Sequence, residues 1–257
     1  MSNSLSHIEQ PTATPEVADV DFMQPLVWLK HGWEDLLHAS FSSLSYGVIF
    51  ALGGFLIMKF TQGHPALFTA AISGFFLIAP LLSTGLYDLS RRIAEDKPPT
   101  LRHSVSEWNV NGRARFNMGA LLALAALAWH VISTLLFQMF YEGEAPQINQ
   151  FVREVLFSDE YTHFVVAYLV IGGAMATLVF SLCVVSVPML LDRPVSASTA
   201  MITSLRVVGH NLPAMALWGA LIAGLTLLGF ATNLIGMVVI MPILGHATWH
   251  AYKDLVH

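Results

Sequence analysis

His246 and His250 stand four residues apart, a spacing that puts both rings on one face of a helix. Joined by His130 from a separate apolar segment, they form a candidate set for a metal ion or a haem iron. Against that, His250 lies beside Trp249 and near Tyr252, where amphipathic rings favour a membrane interface, and His246 can hydrogen-bond a neighbouring helix. The second reading is preferred, so no cofactor and no metal are expected. His31, His38, His103 and His210 are expected at the surface. His163, with Asp159 and Glu160 before it, is the nearest approach to an acid–base cluster, and a capped helix start accounts for it. There is no Gly-rich phosphate loop, nucleophile elbow or Cys-x-x-Cys. No catalytic residue is assigned, and an enzyme is not expected. The single cysteine, Cys183, sits in an apolar run and reads as a small buried hydrophobe.

The elements that would hold these residues follow from composition. Of 257 residues, 55% are hydrophobic and 11% charged, where a soluble domain carries roughly 25% charged residues. The mean hydropathy is +0.62. A chain with so few charges cannot cover a water-facing surface, and it is too hydrophobic to be disordered. An all-α integral membrane protein is expected. The net charge of -5 leaves no basic surplus for nucleic acid. Residues 1–24 carry Glu9, Glu16, Asp19 and Asp21 but no Lys or Arg, and read as a flexible acidic tail before a membrane domain at 25–257.

A span needs about 20 apolar residues. Windows free of Asp, Glu, Lys and Arg run over 36–58, 60–87, 116–141 and 161–191. A fifth, 207–252, is long enough for two helices, with a break offered by Thr232, Asn233 and Gly236. Six transmembrane helices are expected. Of the 12 Lys and Arg, all but Lys59 and Arg153 fall in segments on one side, which places both termini in the cytoplasm by the positive-inside rule.

Short segments outside the windows have helical periodicity. Leu26, Leu29, Trp33, Leu36 and Leu37 share a face opposite Lys30, Glu34 and Asp35. Leu101, Val105 and Trp108 repeat the pattern, as do Met201, Leu205 and Val208. A fourth segment holds Ile148, Phe151, Val152, Val155 and Leu156. All four read as amphipathic interfacial helices. Pro80, Pro188 and Pro242 recur toward the cytoplasmic ends of the even-numbered spans and are expected to kink them. Together these features point to a three-fold repeat of surface helix, span and kinked span.

The segment 79–101, APLLSTGLYDLSRRIAEDKPPTL, resembles the signature of a bacterial family of predicted integral membrane proteins known only as a domain of unknown function, family 2189. Pro80, Gly85-Leu86-Tyr87, Ser90-Arg91-Arg92 and Lys97-Pro98-Pro99 carry the likeness. It implies a multi-span inner-membrane protein and no particular activity. Some members are labelled cytochrome c oxidase subunit I. This chain has no His-Pro-Glu-Val-Tyr stretch, which speaks against a haem–copper centre.

Arg91 and Arg92 follow the second span directly and are candidates for anionic lipid headgroups. Ser73, Ser83, Thr84, Thr177, Ser181, Ser186 and Asn233 could line a hydrogen-bonding path for a solute, or could bond their own helices. Gly53, Gly54, Gly172, Gly173, Ala176, Gly219, Ala220 and Gly224 offer faces for close helix packing. The favoured reading is a non-catalytic accessory subunit or assembly factor. Its partners would be the bilayer and either another membrane protein or a second copy. The alternative is a small-solute or lipid facilitator. A haem- or metal-binding respiratory subunit ranks third.

Overall fold

Helices begin where the sequence supplies the right first turn. Pro25 opens α1 (Gln24–His38) and Pro213 opens α9 (Leu212–Ala231), positions at which the missing N–H has no helical partner to lose. Ser196 caps α8 (Ala197–His210), its hydroxyl accepting from the Thr199 amide at 3.1 Å. Between them the chain forms α2 (Ser40–Phe60), α3 (Thr84–Ala94), α4 (Leu101–Ser106), α5 (Gly112–Phe140), α6 (Thr162–Cys183) and α7 (Ser186–Asp192). It closes with α10 (Met237–Leu255). This computed structural model describes residues 15–61, 71, 75, 79–106, 111–140 and 161–257. Among them the architecture is all-helical, with one isolated antiparallel bridge between Val17 and Val256.

Four helical segments are long and apolar enough to cross a bilayer: Ser40–Phe60, Gly112–Phe140, Thr162–Asp192 (α6 with α7) and Leu212–Ala231. The expectation of six is corrected to four among the described residues. Most of the expected second span, 60–87, lies outside them. The expected sixth is α10, whose second half carries His246, Thr248, His250, Lys253 and Asp254. Such side chains are costly against lipid. In the fold, that polar half is kept away from lipid, because α10 is packed on α1, α2 and α3, with Trp249, Ala251, Tyr252 and Leu255 almost fully buried.

The break between α9 and α10 falls where the sequence placed it. Asn233 and Leu234 adopt φ of 51° and 69°, and Thr232 Oγ1 accepts from the Gly236 amide at 2.8 Å. Pro188 acts upstream of itself. The helix is interrupted between Cys183 and Ser186, at the turn with which the proline ring would clash. Pro242 stays inside α10. Ala39, between α1 and α2, and Asn211, between α8 and α9, share one backbone conformation, φ -115° with ψ 38° and 37°.

Part of the expected tail is docked. The Ala18 amide donates to Leu255 O and the His257 amide to Glu16 O, both at 3.1 Å. The Asn211 side chain accepts from the Val20 amide and donates to Ala18 O, both at 3.0 Å. Residues 1–14 of that tail, Trp108 and the surface segment at 148–156 lie outside the described residues.

Candidate functional site

Helix α1 buries Trp28, Gly32, Asp35 and Leu36, the 3.6-residue stripe that faces α10. Asp35 was expected on the polar face with Lys30 and Glu34. It is buried, because the stripe that includes Trp28 also includes Asp35. Its partners come from two other helices. Ser90 of α3 donates to Asp35 Oδ2 at 2.6 Å, and His250 Nε2 of α10 bonds the same oxygen at 2.8 Å. Ser90 Oγ also lies 2.7 Å from His246 Nδ1, and Ser43 Oγ of α2 lies 2.8 Å from His246 Nε2.

The charge on Asp35 sets the direction of every bond in this chain. An ionised carboxylate only accepts, so the one proton of Ser90 points to Asp35. Ser90 must then accept from His246 Nδ1–H. That leaves Nε2 as the lone-pair nitrogen, which accepts from the Ser43 hydroxyl. Burial opposes the charge on Asp35, but the hydrogen bonds from His250 and Ser90 outweigh it, and its carboxyl is held below the usual range. Burial pushes His246 down to about 4, so the ring is neutral at neutral pH.

In polarity this is a serine–histidine relay, with Ser90 interposed before the acid. In access it is not. Ser43, Ser90 and His246 have at most 1% of their surface exposed, and a nucleophile must reach a substrate. What the arrangement does is join four helices: α1 through Asp35, α2 through Ser43, α3 through Ser90 and α10 through both histidines.

The expected histidine set is thus divided. His246 and His250 share Asp35, whereas His130 is half-buried on α5, which packs on α6. Among the described residues no group of three or more His, Cys, Asp or Glu is arranged to hold a metal ion. His163 is exposed on α6, and Asp159 and Glu160 lie outside the described residues.

Arg91 and Arg92, the headgroup candidates, clasp Asp88 from about one turn further along α3. Arg91 Nη2 donates to Oδ1 at 2.6 Å and Arg92 Nε to Oδ2 at 2.9 Å, and Asp88 is fully buried. The hydroxyls expected to line a path mostly bond their own helices. Ser83 donates to Ala79 O, Thr84 to Leu81 O, Thr177 to Gly173 O, Ser181 to Thr177 O and Ser186 to Leu182 O. Ser73 lies outside the described residues.

Sequence reasoning missed Asp35, Ser43 and Ser90. The signal for Asp35 was its place four residues from His31 and seven from Trp28 on a helix. Ser90 stood in the Ser90-Arg91-Arg92 motif with no role attached to it, and Ser43 had no signal, because a serine near a helix start is commonplace.

No curated protein and no solved structure matches the chain. Residues 67–192 match the model of the family described as Predicted integral membrane protein (DUF2189), the family that the 79–101 motif resembles.

Proposed function

We propose that this multi-pass integral membrane protein is a non-catalytic accessory subunit or assembly factor of a larger membrane complex. The observation that carries this reading is the inward satisfaction of its polar groups. The hydroxyls of Ser83, Thr84, Thr177, Ser181 and Ser186 are spent on helix carbonyls, and Asp35, Ser90 and His246 are spent on one another. A solute facilitator needs such groups turned toward a path. The outward surface is apolar instead: only 22% to 33% of each span's apolar window is buried, and Leu124, Leu127, Leu169 and Leu227 are all exposed.

Site-specific photo-crosslinking in native membranes tests this. A crosslinker at Leu124 or Leu127 should yield one species of discrete added mass, and a crosslinker at buried Leu122 should not. The purified protein should pass no solute in liposomes. Solute flux without a discrete crosslinked species would overturn the reading in favour of a facilitator.

The proposed location is a bacterial inner membrane with both termini cytoplasmic. The Lys and Arg distribution supports it, as does the pairing of residues 16–18 with residues 255–257, which keeps these two segments together. Helices α1 and α8 would lie along that face as amphipathic elements. The matching backbone at Ala39 and Asn211 supports an internal repeat of surface helix followed by span. Alkaline phosphatase fused after Gly143 should be active and fused after Lys97 inactive, and the reverse pattern would invert the orientation.

A further inference from the structure

A cavity of about 180 Å³ lies between residues 79–87 and helices α6, α9 and α10. Val179, Phe180, Ile222, Met241 and Leu244 are among the side chains that line it. Its hydroxyls do not make it polar. Ser83 donates to Ala79 O at 2.9 Å and Thr248 to Leu244 O at 2.6 Å, and Tyr87 pairs with Ser83. Cys183 and Thr226 add a thiol and one further hydroxyl to the wall. A water needs two to four polar partners to stay in such a space, and apolar cavities of this order stay dry and take apolar guests.

The depth of the cavity selects the guest. Ile222 stands midway along α9, and Val179 and Phe180 belong to the span that α6 and α7 form. The cavity therefore lies at the level of the hydrocarbon, where the surrounding solvent is acyl chain. A cavity of ~150 Å³ accommodates benzene, so this one holds a chain segment of about six carbons.

We propose that this cavity binds a segment of the acyl tail of a bilayer phospholipid. The site differs from the Asp35–His246 relay and from the outward faces of the spans. Its inner lining is shielded from bulk lipid, Cys183 being 4% and Leu244 6% exposed, while Phe180, Ile222 and Thr226 are half-buried at its open side.

The test uses the full chain in phosphatidylcholine vesicles doped with phosphatidylcholine carrying a diazirine within one tail. After photolysis, adducts are mapped by mass spectrometry. Adducts are expected on Cys183 and Leu244 as well as on the exposed Leu169 and Leu227. Val179→Trp fills the cavity and should abolish the first pair while sparing the second. Ile222→Phe, a smaller change on another wall, should do the same if Val179→Trp does not fold. A diazirine fatty acid is run in a parallel arm. Adducts confined to exposed residues, or lining adducts that survive a folded cavity-filling variant, would overturn the proposal. So would labelling of the lining by the fatty acid and not by the phospholipid.

Discussion

Gly47 of α2 lies against the carbonyl that Pro242 of α10 leaves without an amide partner. Proline has no N–H to return to residue i−4, which here is Val238. A Cβ built on Gly47 would come within 1.9 Å of Val238 O. The glycine lets the backbone of α2 approach that carbonyl closely, as small residues do between membrane helices. The sequence marked Pro242 as a place where a helix carbonyl loses its partner, and in the fold Gly47 packs against that carbonyl.

Gly47→Ala therefore forces two backbones apart, and neither can give way as a flexible side chain would. The expected loss is about 1–3 kcal/mol, the usual cost of overpacking. It should be read as a lower midpoint in thermal unfolding followed by tryptophan fluorescence in detergent. Gly224→Ala, with nothing within 4 Å of its built Cβ, should leave the midpoint in place. Equal midpoints for both variants would refute the close approach.

Ser90→Ala removes the hydroxyl that joins Asp35 to His246. Both lose a partner while buried, at a cost of about 1–3 kcal/mol. Ser43→Ala, which leaves the Asp35 contacts intact, should cost less. A double variant with His250→Ala should lose less than the sum of the singles, since Ser90 and His250 share Asp35 Oδ2. Strict additivity in this cycle would separate them into independent contacts.

Acid should weaken the four-helix junction in two stages. His246 is held at about 4 against an ordinary 6.5. Its neutral form is the folded one, so stability is full above 6.5 and falls as the pH drops from there toward 4. Asp35 is held below its ordinary 3.8, so its contribution is present above that value and is lost as the pH falls through the lower one. The unfolding midpoint of the wild type should decline below about pH 6.5. In His246→Gln the first stage should vanish. A midpoint that stays flat from pH 7 to 4 would contradict the burial of a neutral imidazole.

Asp88→Asn leaves Arg91 and Arg92 without their shared carboxylate. Breaking a buried pair costs roughly 3–5 kcal/mol, and the guanidiniums keep 20% and 16% of their side-chain surface in contact with solvent, so the lower end is expected. The measurement is again the unfolding midpoint in detergent. Arg91→Lys, which cannot reproduce the planar fork, should show part of the loss. A larger loss for Arg91→Lys than for Asp88→Asn would mean that Arg91 serves chiefly another partner.

The sequence by itself determined the membrane class, the helical architecture and the break at 232–236. These follow from composition, from apolar windows and from local backbone chemistry, all of which are readable within a few neighbouring residues. It also set His246 and His250 on one face, because four residues make about one helical turn. What only the tertiary structure decided was which surfaces meet. Asp35 looks like a surface charge beside Lys30 and Glu34 until α10 is laid along the Trp28 stripe and brings His250 within 2.8 Å. Helix α10 looks lipid-facing until α1, α2 and α3 close around its polar half. Burial of a charge depends on what stands opposite it, and residues 43, 90 and 246 are too far apart in sequence for any local pattern to report that they touch.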